Sequence, residues 1–308
     1  MNIIVSGSLA YDRIMDFPGF FSEHILPEKI HVLNVAFMVN GLKEKFGGTA
    51  GNIAYSLALM GERPEISATI GHDYHRYLDW LAKNGLSTKH IKIIEEEFTA
   101  GAYITTDQAD NQITGFNPGA MKCSSSLDFD RINPKETIMI VSPGNLEDMR
   151  NYPLACKARG INYIFDPGQS IPMLEAKDLL RAIEGCPILI SNDYELELIM
   201  SKTGVNKEEL LNKAQTIIVT LGDMGSRIYL MEGEKYIPAV EPDKVEDPTG
   251  AGDSYRGGLI SGLVRNMDIE QSARMGSVCA SFAVECYGTQ DYRFSPEEFK
   301  ERFKRCYG

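Results

Sequence analysis

Short apolar runs alternate with longer amphipathic stretches along most of this chain. Runs too short for a buried helix are best satisfied as strands, and the amphipathic stretches between them lay helices over the strands' faces. Strands are predicted at Ile3–Val5, Glu65–Ile70, Thr137–Ser142, Asn162–Phe165, Pro187–Ile190 and Ile217–Thr220. Helical patterns fall at Ala50–Met60, Tyr74–Lys83, Leu146–Ala158, Leu174–Ile183 and Asp193–Ser201, and three more close the chain at Ala251–Val264, Ile269–Glu285 and Pro296–Arg305. Strands spaced by helices of this size imply βαβ units and a mostly parallel sheet covered on both faces. Gly222, Gly225 and Gly233 punctuate a late hairpin.

Two segments break the rhythm. His31–Lys45 and Thr99–Phe116 are β-like runs interrupted by Asn-Gly or Asp-Asn turn signals. They fit a small separate sheet, and they also fit surface hairpins without function. The economical organisation is one domain over residues 1–308 with lid segments inserted at about 13–46 and 97–118.

A chain of 308 residues buries enough surface to need no disulfide or zinc. Its six cysteines are scattered and form no CxxC pair, which suits reduced thiols and a cytoplasmic setting. The formal net charge of −12 argues against a general nucleic-acid binder, although backbone amides can still make one pocket locally positive. The opening residues lack the pattern of a signal peptide, and no apolar stretch approaches a membrane span, so no membrane partner is expected.

The chemistry concentrates in Asp247-Pro248-Thr249-Gly250-Ala251-Gly252-Asp253-Ser254. Small residues at 250–252 let the backbone approach a ligand, and a helix begins at once. Its unpaired N–H groups and partial positive charge suit a phosphate, and Asp253 in the first turn stands beside that position as a carboxylate able to take a proton. The same residues fit a helix cap preceded by a glycine turn. Gly257, Gly258 and Gly262 lower helix propensity and point instead to close packing against a neighbouring helix.

Gly47-Gly48-Thr49-Ala50-Gly51-Asn52 precedes another helix; Asn52 can offer a donor and an acceptor to sugar hydroxyls, and the run equally fits an ordinary turn and helix cap. Ser8 and Asp12 follow the first strand, at the carboxyl edge where open α/β sheets bind ligands. Asn192 and Glu195 lie one helical turn apart, spaced either to hold the water shell of Mg²⁺ or to form a capping box. Thr220-Leu221-Gly222-Asp223-Met224-Gly225 is a strand and glycine turn fit to back a nucleotide or to be an ordinary hairpin. Neither GxxxxGK[ST] nor GxGxxG occurs, which argues against a P-loop enzyme and a dinucleotide-binding dehydrogenase.

Gly47-Gly48…Asn52, Asn192…Glu195, Thr220…Gly225 and Asp247–Asp253 occur in the order found in the ribokinase-like, or PfkB, sugar and nucleoside kinases, and the whole chain resembles that family. Ser6–Asp12, Phe116–Met121 and Ser191–Glu195 are most similar to bacterial adenosine kinases and archaeal nucleoside kinases. The resemblance implies an α/β/α sandwich with a central, mostly parallel sheet and a small β-sheet lid. It implies Asp253 as the base that deprotonates a nucleoside 5′-hydroxyl, with the backbone of Gly250, Ala251 and Gly252 as the anion hole. Asp12, Gly47, Gly48 and Asn52 would grip the ribose, with Ser8, Phe116 and Gln169 beside the nucleoside. Thr220, Gly222, Gly225 and Ser277 would line the ATP side. Asn192 and Glu195 would organise Mg²⁺ through water, and Asp247 and Thr249 are candidates for contacts to K⁺.

Some bacterial members carry an aromatic residue where this chain has Ala102 and a serine where it has Ala36, so a more tolerant base pocket is expected, with Phe37 or Tyr103 as another apolar wall. The expected reaction is ATP-dependent phosphorylation of adenosine to AMP. The alternatives are a broader nucleoside or a sugar kinase and, more remotely, a non-catalytic nucleoside-binding protein. Monomer and lid-mediated homodimer both remain open.

Overall fold

The computed structural model describes residues 1–32 and 34–308; Leu33, in the first predicted insert, lies outside the described residues. The first third of the chain contains β1 (Asn2–Ser6), β2 (Ala10–Asp16), α1 (Phe21–His24), β3 (Asn40–Gly47), α2 (Thr49–Leu59), β4 (Glu65–Gly71) and α3 (His75–Lys83). The middle contains β5 (Ser87–Ile94), β6 (Ala100–Thr106), β7 (Gln112–Asn117), β8 (Thr137–Val141), α4 (Leu146–Arg159), β9 (Asn162–Phe165) and α5 (Ala176–Ile183). Then come β10 (Ile188–Asn192), α6 (Asp193–Thr203), α7 (Lys207–Lys213), β11 (Thr216–Thr220), β12 (Ser226–Leu230) and β13 (Gly233–Ile237). Helices α8 (Ala251–Val264), α9 (Ile269–Ala283) and α10 (Pro296–Tyr307) close the chain.

The large sheet has the order β13-β12-β11-β10-β9-β8-β1-β4-β5. It is parallel from β5 to β11 and antiparallel only at the β11-β12-β13 edge, where the predicted hairpin lies. Alternate residues feed two cores. Ile3, Val5, Ile140 and Ile190 face Ile53, Leu57 and Leu259 of α2 and α8, while Ile4, Met139, Phe165 and Leu189 face Met149, Leu179 and Ile199 of α4, α5 and α6. Each such side chain contributes roughly 1.5–3 kcal/mol when fully buried, which explains why these runs are apolar on both faces. The result is the predicted ribokinase-like α/β/α sandwich.

Strand β10 continues to Asn192, beyond the predicted Ile190, because its ladder with β11 carries on to the Asn192–Thr220 pair. Strand β2 and the short helix α1 were not foreseen, and two further elements escaped the sequence reading. Edge strand β5 interrupts its apolar residues with Lys89, His90 and Lys92, as solvent-exposed sheet edges do. Helix α7 is only 7 residues long and rests on the Asn206–Glu209 capping box.

A second sheet, β3-β2-β6-β7, accounts for both segments that broke the α/β rhythm. Residues 34–39 carry no regular structure, so the β-like run expected from His31 begins only at Asn40. One face of this sheet packs Tyr11 and Phe46 against Tyr77 and Trp80 of α3. The strand periodicity gives Asp12, Ala102 and Phe116 to the other face, where register pairs Asp12 with Ala102 and Ala102 with Phe116.

The α8 glycines have the purpose their spacing suggested. A Cβ on Gly258 would lie 2.5 Å from the Met275 carbonyl oxygen, and one on Gly262 would lie 2.6 Å from the Ser272 Cα, so α8 and α9 meet backbone to backbone. Gly257 likewise sits against Ser56 of α2. Among the described residues, no helix is long and apolar enough to cross a membrane.

Candidate active site

In the large sheet the chain leaves β1 towards β4 on one side and later returns to β8 on the other, and such a reversal opens a crevice at the strands' carboxyl ends. A cleft of about 440 Å³ lies there, bounded by Thr49, Pro143, Asp166, Gly168 and Gln169, by Asn192, Glu195, Thr220 and Gly222, and by Gly250, Gly252, Asp253 and Arg256. A second, more apolar hollow of about 330 Å³ shares Thr220, Gly222 and Gly252 with it and continues past Gly225, Val240, Ala251, Tyr255 and Ser277. The structure therefore brings the 250–253, 192–195 and 220–225 motifs and Ser277 to one continuous depression.

The start of α8 forms the floor. Gly250 holds φ +82°, and a Cβ there would meet the Thr289 side chain at 2.9 Å, so glycine is required both by conformation and by space. No side chain caps this helix; the Ala251 amide donates to the Pro248 carbonyl at 3.2 Å, and Gly250 and Gly252 border the cleft. Asp253 lies in the first turn, and its Oδ2 accepts a hydrogen bond of 2.8 Å from Asn52 Nδ2. Burial, the largest influence, pushes its carboxyl up to about 6; Arg256 and the Asn52 amide pull it down, and Asp166 and Glu195 push it up again.

Beneath the floor, Arg256 forms a two-pronged ion pair with Asp166, at 2.5 Å from Nε and 2.8 Å from Nη2, and donates from Nη1 to the Gly252 carbonyl at 3.0 Å. The pair is almost wholly buried and ties the α8 N-terminus to the loop after β9. Neither residue was singled out from the sequence. The available signal was a lone arginine in the small, apolar α8 pattern, which needs a buried anion.

Asn192 and Glu195 make a complete capping box: Asn192 Oδ1 accepts from Glu195 N at 2.7 Å, and Glu195 Oε2 accepts from Asn192 N at 2.8 Å. Both side chains still border the cleft. Burial first, and Asp166 second, raise the Glu195 carboxyl above its ordinary range.

Around β1 and α2 the predicted residues gather beside Thr49, which borders the cleft. Gly48, at φ +89°, brings the backbone so close that a Cβ would meet the Ser8 carbonyl oxygen at 2.6 Å. Ser8 Oγ accepts from Thr49 N at 3.1 Å, and Thr49 Oγ1 donates to the Pro143 carbonyl at 2.6 Å. The Asp12 carboxylate lies against Gly47, where a Cβ would stand 2.5 Å from Oδ2. Its carboxyl is raised by burial and then by the facing Asp247 carboxylate, which brings the small sheet close to the loop before α8.

Two expectations need correction. Asn52 does not keep a free acceptor for sugar hydroxyls: its Oδ1 already accepts from Gln290 Nε2 at 3.0 Å, and Thr289 Oγ1, whose single proton also has the Phe46 carbonyl in reach at 3.1 Å, lies 2.9 Å away. Phe37 is drawn into a cluster with Phe17, Phe21 and His24, and the Tyr103 hydroxyl accepts from Arg13 at 2.9 Å, so neither is a free wall for a base. Phe116 remains 54% exposed on its strand. Asp247 Oδ1 accepts from Thr249 N at 2.9 Å and its Oδ2 from Gly288 N at 3.3 Å, bracing the loop that leads into Gly250.

An amide cradle at a helix start with a carboxylate beside it, at the carboxyl edge of a parallel sheet, is the equipment of a phosphotransferase acting on an alcohol. The family model for pfkB family carbohydrate kinases matches residues 10–295, and the chain belongs to that family. A nucleoside kinase from Methanocaldococcus jannaschii is 33% identical over 281 residues, covering 90% of this chain and 92% of the relative. The solved structure of Burkholderia thailandensis nucleoside kinase in complex with inosine superimposes with a TM-score of 0.88 at 36% identity, covering 99% of this chain and 98% of the other. The same enzyme's complex with ADP-inosine gives a TM-score of 0.85.

Proposed function

We propose that this enzyme transfers the terminal phosphoryl group of ATP to the 5′-hydroxyl of a nucleoside, with adenosine one acceptor among several. The carrying observation is the Asp253 carboxylate, held by Asn52 at 2.8 Å in the first turn of a helix whose glycine-lined start no side chain caps. In this reading the hydroxyl oxygen forms a bond to the terminal phosphorus while its proton passes to Asp253. The bond to the bridging oxygen breaks, and ADP leaves with the electron pair. The 250–252 amides receive the charge on the transferred group, and the shared-rim hollow at Thr220, Gly225 and Ser277 takes the nucleotide base. The relatives' nucleoside kinase activity and the inosine complex support a nucleoside acceptor.

Breadth of acceptor follows from the small sheet. Ala102 and Phe116 are cross-strand neighbours on one face of the sheet, so a base lying on that face meets one aromatic ring and, beside it, only a methyl group. A pocket walled this way discriminates weakly between purines that differ at their edges. The sheet acts as a lid whose closure excludes water from the acceptor hydroxyl. Asp12 and Gly48 hold the ribose, with Gly47 and Ser8 shaping that wall and Gln169 near the nucleoside.

Mg²⁺ fits as a hydrated ion on the phosphate oxygens. Among the described residues, no group of three or more His, Cys, Asp or Glu is gathered to hold a bare metal, while Glu195 and Asn192 border the cleft, where they would hold the ion through its water. Bound there, Mg²⁺ supplies charge neutralisation for the phosphates. Asp247 and Thr249, bracing the loop before the cradle, are the residues a K⁺ ion would join.

The test is a coupled ADP-release assay with Mg²⁺-ATP over adenosine, inosine, guanosine, cytidine, ribose and fructose, for the wild type and Asp253→Asn. Several nucleosides should turn over faster than either sugar, and Asp253→Asn should lower kcat by roughly 100- to 10,000-fold with acceptor binding retained. Faster turnover of a free sugar would overturn the acceptor class, and near-normal kcat in the variant would overturn the base.

A further inference from the structure

Asn52 has a chemically two-ended side chain, and only its NH₂ end can support an ionised Asp253. The surrounding hydrogen bonds decide which end faces the carboxylate, and they can be followed outward to a group with no choice. That group is the indole of Trp80, the chain's single tryptophan, whose N–H is a donor only. It donates to Gln290 Oε1 at 2.9 Å, which turns the other end of the Gln290 amide inward. Gln290 Nε2 then donates to Asn52 Oδ1 at 3.0 Å and to the Tyr77 hydroxyl at 2.8 Å. Tyr77 spends its own proton on the Gly47 carbonyl at 2.7 Å, so it can only accept from Gln290. With Oδ1 of Asn52 claimed by Gln290, Nδ2 is left for Asp253 Oδ2 at 2.8 Å.

We propose that Trp80 and Gln290 are positioning residues, which fix the orientation of the Asn52 amide so that it donates to the Asp253 carboxylate. The proposal rests on the reading of Asp253 as the base. The relay is buried where it matters: Gln290 is 2% exposed, Asn52 6% and Tyr77 0%. Neither Trp80 nor Gln290 borders the cleft. Their route to the carboxylate by hydrogen bonds runs through Asn52, over two successive amides that each have a wrong way round. In the wrong orientation, Asn52 would turn a carbonyl oxygen towards the carboxylate and destabilise its ionised form.

The charged and titratable groups facing Asp253 are Arg256 on its own helix, Asp166 after β9, Glu195 on α6 and the Tyr77 hydroxyl on α3; α2 presents the neutral Asn52. None changes in the two variants that test the relay. Gln290→Met keeps the side-chain length but removes the donor to Asn52. Trp80→Phe removes the donor to Gln290 while keeping a ring to stack on Phe46 and Tyr55.

The pH profile of kcat is measured at saturating Mg²⁺-ATP and adenosine for wild type, both variants and Asp253→Asn. In Gln290→Met the acidic limb should move up by about half to one pH unit, with several-fold lower kcat on the plateau and KM for ATP within about two-fold of wild type. Trp80→Phe should move the limb the same way by less. A limb left at its wild-type position in either variant, with a native near-ultraviolet circular dichroism spectrum, overturns the relay. Retained turnover in Asp253→Asn instead overturns the base, so the two failures are distinguishable.

Discussion

The raised carboxyl of Asp253 makes a prediction that needs no substrate. Its value in the fold is about 6 against an ordinary 3.8. Between those values the folded protein still holds a proton that the unfolded chain has released. The fold is therefore relatively favoured below about pH 4 and loses that advantage as pH rises through about 6. Each unit corresponds to about 1.36 kcal/mol, so ionised Asp253 costs the apoprotein at most about 3 kcal/mol, and about 1–3 once water in the open cleft is allowed for. Asp253→Asn removes the cost while keeping an oxygen to accept from Asn52. For a chain of 308 residues the gain corresponds to a Tm increase of roughly 2–5 °C at pH 8. The difference should shrink through pH 6 and nearly vanish at pH 4. Scanning calorimetry on both proteins from pH 4 to 8 reads it. A variant less stable than wild type at pH 8, or a difference that does not vary with pH, would refute the reasoning.

Arg256→Met should lower stability by about 3–5 kcal/mol, visible as a lower denaturation midpoint, because Asp166 is left buried without its partner; an unchanged midpoint would contradict a tight buried pair. Gly250→Ala places a Cβ against Thr289 at positive φ and should cost about 1–2 kcal/mol of stability while lowering kcat more than it raises KM for the acceptor. Steady-state kinetics with wild-type kcat would show that the cradle tolerates displacement.

What could be read from the chain depended on how local the cause was. The β1, β8 and β9 runs are apolar on both faces because each is covered on both sides, and that signature survives in any short window. Asp253 and Gly250 were legible for the same reason, since a helix start and a positive-φ glycine are defined by immediate neighbours. Strand β5 hid because its lysines answer to solvent at a sheet edge, and Phe37 was misplaced because its three ring partners were not evident from the sequence. Asn52 shows the limit most clearly. Its residue type suggested a ligand contact, but its role depends on Gln290 and Thr289, more than two hundred positions downstream.

That separation bears on the order in which the protein comes into being. The bond from Asn52 to Asp253 closes a span of 201 residues, and the Asp166–Arg256 pair closes one of 90. During synthesis, every strand of the large sheet, the last ending at Ile237, is translated before α8 begins at Ala251. No partial chain that stops short of α8 holds both halves of the phosphate cradle. An interrupted product of this gene would thus be folded in part yet inert, with an open groove where α8 belongs.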